Sequence, residues 1–135
     1  MADLSITAAN VAHAAVGLQT STKQAGEALT QGEPVYVSDG KYFKADADAS
    51  AGTAEVVGIA MTAASTDGYF TMASSGPINL GATLTVGETY VLSATAGGIA
   101  PIGDLETGDY VTTLGIATTA SRLDLSINAS GVQKA

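Results

Sequence analysis

The pattern Leu-Thr-x-Gly-Glu occurs twice in this chain, and each time the same sequel follows. The first copy is Leu29-Thr30-Gln31-Gly32-Glu33, then Tyr36-Val37, and later Gly58-Ile59-Ala60-Met61-Thr62-Ala63. The second is Leu84-Thr85-Val86-Gly87-Glu88, then Tyr90-Val91, and later Gly115-Ile116-Ala117-Thr118-Thr119-Ala120. The offset is 55 residues at Gly-Glu and 57 at Gly-Ile-Ala. A repeat longer than one hairpin and shorter than a domain predicts two similar β lobes in one compact unit. What recurs is scaffold: turn glycines and strand apolars. A catalytic set needs reactive side chains, and the repeat carries almost none.

The core material is unusual for a chain of 135 residues, which is the length of one domain. There are 25 alanines against 27 valines, isoleucines and leucines together, and no tryptophan. Alanine buries little area, so the hydrophobic term per residue is modest. Such a domain is expected to gain stability from self-association or from docking on a partner. The net charge is -8, and Lys23, Lys41, Lys44, Arg122 and Lys134 are scattered. Binding a phosphate backbone needs clustered Lys and Arg, so no nucleic-acid partner is expected. The absence of cysteine excludes disulfides, thiolate metal sites and cysteine nucleophiles. The first residues hold no basic region followed by an apolar stretch, and no window is long and apolar enough for a membrane-spanning helix.

Along the chain, Leu4, Ile6 and Asn10-Val11 read as a first strand. Residues 12–28 are small and polar and read as an extended arm, with a short helix over 8–16 as an alternative that the alanines favour. The clearest local signal is a β-hairpin from Pro34 to Lys44, with Asp39-Gly40 as its two-residue loop. That register places Val37 opposite Tyr42 and Tyr36 opposite Phe43. Residues 46–52 read as a loop and Glu55–Met61 as a strand, in which Gly58 marks a bulge or a close backbone approach. Phe70–Ala73 and Ile78–Leu80 read as strands separated by a turn at Ser74-Ser75-Gly76-Pro77. The second lobe repeats the scheme, with a bend expected at Gly115. Leu123–Ile127 alternates as a half-buried strand should, and residues 128–135 read as a frayed tail. The expected fold is all-β: a compact barrel or tulip-like domain over residues 29–135, with pseudo-repeats at about 29–65 and 84–122, preceded by an N-terminal strand and arm over 1–28. A jelly-roll sandwich is the alternative.

Candidate chemistry is sparse. His13 is the only histidine, and its neighbours supply no acid or nucleophile motif. No Gly-x-Ser-x-Gly elbow exists. Asp46-x-Asp48 matches a fragment of a calcium loop, but Gly52 and Glu55 lie at the wrong spacing for the rest of it. Glu33 and Glu88 are a formal pair of carboxylates, but equivalent turns in equivalent lobes explain them better than glycoside chemistry does. Stacked exposed tyrosines would bind sugars, yet most of the rings fall at strand positions, where half-burial is ordinary. No enzymatic activity, cofactor or metal is expected.

Several segments carry a family resemblance. They are Ala2-Asp3-Leu4-Ser5-Ile6-Thr7, Gly32-Glu33-Pro34-Val35-Tyr36, Val57-Gly58-Ile59-Ala60, the run from Gly87 to Pro101, and Gly108-Asp109-Tyr110-Val111 through Ala117. Over roughly residues 2–132 the chain resembles the head decoration, or capsid cement, proteins of tailed bacteriophages. The resemblance implies a non-enzymatic protein made in the bacterial cytoplasm and carried on the outer surface of the virion capsid. Its partner would be the major capsid protein of the same phage, and it would act as a homo-oligomer, a trimer before a dimer. It also implies an N-terminal arm lying on the capsid, for which Leu4, Ile6, Asn10 and Val11 are the candidate contacts. The competing expectation is a phage surface module that binds host glycans or envelope.

Overall fold

The computed structural model describes residues 3–14 and 16–135, with His13 described by its backbone alone. It contains ten strands: β1 (Val11–His13), β2 (Gln19–Gln24), β3 (Pro34–Ser38), β4 (Lys41–Lys44), β5 (Gly58–Ala60), β6 (Tyr69–Leu80), β7 (Thr89–Leu92), β8 (Ile99–Pro101), β9 (Tyr110–Ala117) and β10 (Arg122–Gln133). Two short 3-10 turns, Ala8–Asn10 and Ile102–Asp104, are the only helical elements among the described residues. The strands pair antiparallel in one curled sheet of order β4-β3-β5-β6-β10-β9-β7-β8, and β1 and β2 lie on the other edge of β6. The chain is therefore an all-β, barrel-like domain, and one continuous sheet replaces the two facing sheets of a jelly roll.

That order reads the same from both ends. β4-β3-β5-β6 and β8-β7-β9-β10 are copies of one four-strand unit, joined where β6 meets β10. The register makes the equivalence residue by residue. Pro34, Ile59 and Ala73 form a row across β3, β5 and β6. Thr89, Ile116 and Asp124 form the same row across β7, β9 and β10. The Gly32 N–H donates to the Ala60 carbonyl and the Gly87 N–H to the Ala117 carbonyl, each at 2.8 Å. The Leu29 N–H donates to Ala64 and the Leu84 N–H to Ala120. By this register Tyr90 corresponds to Val35, not to Tyr36, so the shared Tyr-Val dipeptide is displaced by one position between the lobes.

The glycine of each Gly-Ile-Ala is explained by a close approach. A Cβ at Gly58 would stand 2.7 Å from the Ala73 carbonyl oxygen. One at Gly115 would fall onto the carbonyl of Asp124, which is the register equivalent of Ala73. Each lobe thus brings its β5-type strand hard against its long strand, and only a residue without a side chain fits. The hairpin forms as expected, with Asp39 and Gly40 both at positive φ and Val37 opposite Tyr42.

Elsewhere the backbone departs from expectation. Leu4 to Thr7 form no strand. They run as a strap along the body, and strand pairing begins only at Val11, opposite Leu80. No helix forms over 8–16 beyond the single 3-10 turn, and Ala15 lies outside the described residues. The expected arm contains β2, whose six polar residues pair with β6 from Tyr69 to Ser75. Its pairing is main-chain work, so no apolar alternation announces it. The turn expected at Ser74–Pro77 is the middle of β6, which continues through Pro77 opposite Asp124. There Gly76 adopts φ 104°, and a side chain at that position would meet the carbonyl of Gly17. The tail is also ordered: β10 reaches Gln133, and the Lys134 N–H donates to the Asp109 carbonyl at 2.8 Å.

Each lobe carries its own core. Leu29, Val35, Ala60 and Met72, with Phe70 and Ala25, fill the first. Their counterparts Leu84, Tyr90, Ala117 and Leu123 belong to a larger core that also takes in Ile59 and Ala73 from the back of the first lobe. The segment after β4 laces the lobes together. The Gly97 N–H donates to the Ala45 carbonyl, the Ala47 N–H to Ser93 and the Tyr110 N–H to Ala47. The buried Thr112 hydroxyl donates to the Ala54 carbonyl.

Gly115→Ala is expected to destabilise the fold by about 1–3 kcal/mol, because the new methyl group must push β9 away from β10. Gly103→Ala, at a position with open space, is expected to be near neutral. Thermal unfolding of the two variants beside the parent checks the contrast.

Candidate functional site

The sequence-derived contact residues fall on the strap and on the 3-10 turn and β1 that follow it, and the structure divides them by the way they face. Leu4 and Ile6 are half-buried and pack against the main core. Ile6 lies over Gly32, in the turn that opens the first repeat, so the strap is fastened to lobe one by an apolar contact. The Leu4 N–H donates to the Ile99 carbonyl at 2.7 Å, which fastens it to lobe two on the free edge of β8. The Ser93 hydroxyl donates to the Asp3 carboxylate at 2.5 Å, a second tie to that lobe. The Thr7 N–H donates to Gly81 at 2.8 Å. Val11 is buried. Asp3, Ser5, Thr7, Ala9 and Asn10 are exposed. Leu4, Ile6 and Val11 therefore hold the strap down, and among the four candidates Asn10 alone faces outward.

Beside Asn10 the surface opens into a hollow of about 460 Å³. Ser5, Thr7, Asn79, Thr83 and Ser121 line it with Asn10. Its walls carry hydroxyls and amides and no charge, so it offers hydrogen bonds without an electrostatic preference. This polar rim was not legible in the sequence, since it is drawn from three separate stretches, residues 5–10, 79–83 and Ser121.

The other candidates have structural work to do. The Glu33 carboxylate accepts the Thr30 N–H at 2.6 Å, closing its own turn. In the second lobe the equivalent Thr85 N–H goes instead to the buried Tyr90 hydroxyl at 2.9 Å. Glu33 lines a hollow under the strap, and Glu88 is not among the residues around it. The side chain of His13 lies outside the described residues; its backbone pairs with Ile78. Among the described residues no cluster of His, Asp and Glu has the makings of a metal site. In the Asp46–Asp48 loop the oxygens of Asp46 are engaged within the loop: its carboxylate accepts the Asp48 N–H at 3.2 Å, and its carbonyl accepts the Thr53 hydroxyl at 3.0 Å. The rings form no exposed stack. Tyr36 and Phe43 pair at 5.7 Å, Tyr42 meets Phe70 edge-on at 5.9 Å, and Tyr69 is the one strongly exposed ring among the described residues. No described helix is long and apolar enough to cross a membrane.

Against known proteins, no family model matches the chain and no curated protein matches it.

Asp46 gives this region a pH dependence. Burial, a hydrogen bond shared with the Asp48 carboxyl, and the charges of Asp48 and Asp109 push its carboxyl above the ordinary value; the bond from the Asp48 N–H works the other way. The folded chain therefore holds this proton more tightly than the unfolded chain does. The stability it contributes is fully present below the ordinary carboxylate range and is lost as pH rises through the raised value. Asp46→Asn removes that loss while keeping an acceptor for the Asp48 N–H. The variant is expected to gain on the parent as pH rises above the ordinary carboxylate range and to be no less stable at neutral pH. Melting temperatures of both proteins from acid to neutral pH check the sign.

Proposed function

We propose that this chain is a structural virion protein that decorates the outer surface of an expanded phage capsid and stabilises the shell by clamping neighbouring major capsid subunits. The resemblance over residues 2–132 supports this reading, because its segments from Gly32 onward are turns and strands of the two-lobed body. The observation that carries most weight is the strap. It is tied to lobe one through Ile6 and to lobe two through Leu4 and Asp3, and it keeps Ser5, Thr7 and Asn10 on its outer side. A segment pinned in that way offers a fixed polar surface to a partner and loses little conformational entropy on binding. The partner is the major capsid protein, and many identical sites on one shell let a modest interface at each add up. The role is non-enzymatic. The glycan-binding alternative gains no support from the rings, since Tyr69 is exposed without an exposed neighbour in a stack.

The test is to mix the purified protein with expanded, undecorated heads and to follow co-sedimentation and the melting temperature of the shell. Saturable binding with a raised shell melting temperature is the expected result. Failure to bind any expanded shell overturns the reading. Asn10→Ala is expected to weaken binding without changing the melting temperature of the free protein. Ile6→Asp is expected to lower that melting temperature through a loss of about 1–2 kcal/mol.

A further inference from the structure

Asp39 and Asp67 are the only non-glycine residues at positive φ among the described residues, at 53° and 68°. Each is followed by glycine, and the chain holds no other Asp-Gly pair. Both aspartates are exposed and each lies in a turn, Asp39 at the tip of the β3–β4 hairpin and Asp67 just before β6. The two pairs are thus alike in sequence and in backbone conformation. An Asp-Gly pair also carries its own nucleophile and electrophile. The glycine nitrogen can close on the aspartate side-chain carbon, because glycine brings no Cβ to obstruct the approach. What differs between the pairs is the use the fold makes of these atoms. The Gly68 N–H donates to the Ser65 carbonyl and the Asp67 N–H to the Ala25 carbonyl, each at 2.8 Å. The Asp67 carbonyl accepts the Gln24 side-chain amide at 3.1 Å, and the Asp67 carboxylate pairs with Lys41 Nζ at 2.6 Å. The peptide group joining Asp67 to Gly68 is therefore tied at both its N–H and its carbonyl, and it cannot swing towards the side chain without breaking both bonds. Asp39-Gly40 has no such ties. Among the described residues, nothing hydrogen-bonds the Asp39 carboxylate, the Asp39 carbonyl or the Gly40 N–H, and the space beside Gly40 is open. Freeing this tip disturbs only the Ser38–Lys41 rung at the end of the ladder.

We propose that Asp39 is a site of covalent self-modification, where the linkage to Gly40 isomerises through a succinimide to isoaspartate, and that the fold withholds the same reaction from Asp67-Gly68. In the first step the Gly40 nitrogen attacks the side-chain carboxyl carbon of Asp39 in its acid form. A C–N bond forms, a C–O bond breaks, and the amide proton leaves with the hydroxyl as one water. In the second step one water adds back to the ring. Opening at the side-chain carbon returns aspartate. Opening at the former main-chain carbon gives isoaspartate, in which the chain runs through the side chain and the old carbonyl is a free carboxylate. Mass and net charge are unchanged, and water is the only co-reactant. The main chain gains one carbon in a two-residue loop whose length sets the hairpin register. The change therefore falls on the tip and on the nearby Val37–Tyr42 rung, away from the buried Val35 at the base of β3. The reaction belongs to the free chain and does not rest on the proposed role.

The experiment is to incubate the full-length protein in mildly acidic buffer, folded in one series and unfolded by guanidinium chloride in the other. Samples taken over time are digested, and the peptides holding Asp39 and Asp67 are followed by chromatography and mass spectrometry. An isoaspartyl peptide keeps its mass, elutes apart from its parent and resists a protease that cuts before aspartate. In the folded protein isoaspartate is expected to accumulate at Asp39 at least tenfold faster than at Asp67, since two hydrogen bonds of ordinary net strength give about that factor. In the unfolded protein the two rates are expected to converge, because the ties around Asp67 are then gone. A folded protein that forms no isoaspartate at Asp39 overturns the proposal, as does one in which Asp67 keeps pace with Asp39. An equal contrast in the unfolded protein also overturns it, because the neighbouring sequence and not the fold would then set the difference.

Discussion

The pairing of β6 with β10 is the joint on which this architecture depends. Leu123 lies opposite Ile78 across it, and both side chains are fully buried. Each such side chain contributes about 1.5–3 kcal/mol by leaving water. The sharper constraint, however, is geometric. β6 spends its first half on β5 and its second half on β10, so one strand belongs to both lobes. Its other edge is divided in the same way between β2 and β1. Without β10, the apolar end of β6 would have only three residues of β1 beside it. The lacing by residues 45–54 and the strap both presuppose lobes already set at this angle.

An alanine-rich chain gains from such an arrangement. Few side chains are large, so burial has to come from many backbone-close contacts. The glycine of each repeat lets β5 and β9 lie against the long strands, and buried Ala45, Ala47 and Ala54 allow the lacing segment to run close to lobe two. Open sheet edges, which invite uncontrolled pairing, are limited by the same economy. Leu4 takes a carbonyl of β8, and the Gly26 N–H takes the Tyr42 carbonyl on β4. The far half of β10 is interrupted by a bulge between Ala129 and Gln133, which spoils it as a template.

Much of this was legible from residue order where the determining contacts are short-range or repeated. Asp39-Gly40 fixes a hairpin and its register on its own. The repeat announced two lobes because turn geometry and close approach select glycine wherever they occur. The segments that misled have an equally physical reason. β2 has no apolar residue at all; its place comes from hydrogen bonds to β6, which leave no mark on side-chain pattern. Gly76-Pro77 looks like a turn, yet here it is a kink within a strand held on both sides. Leu4 and Ile6 alternate like a strand, but their backbone meets isolated carbonyls instead of a partner strand. Of the candidate contacts, the apolar character of Leu4, Ile6 and Val11 could be read in advance. Their inward facing could not, nor could the grouping of Asn10 with Asn79, Thr83 and Ser121, because distant parts of the chain decide both.

The shared strand also sets an order of events during synthesis. β2, β5 and the first half of β6 lie within the first 75 residues, so lobe one can close on itself as soon as these have left the ribosome. The second half of β6 must then wait for Arg122 and its successors. At about 5–20 residues per second, that interval lasts on the order of seconds. Throughout it Ile78 and Leu80 have only β1 for cover, and the back of lobe one, with Ile59 and Ala73, has no lobe two against it. A nascent chain is then a half-molecule displaying the very surface that its own second half is built to cover, and crowded neighbours on one messenger would meet it in that state.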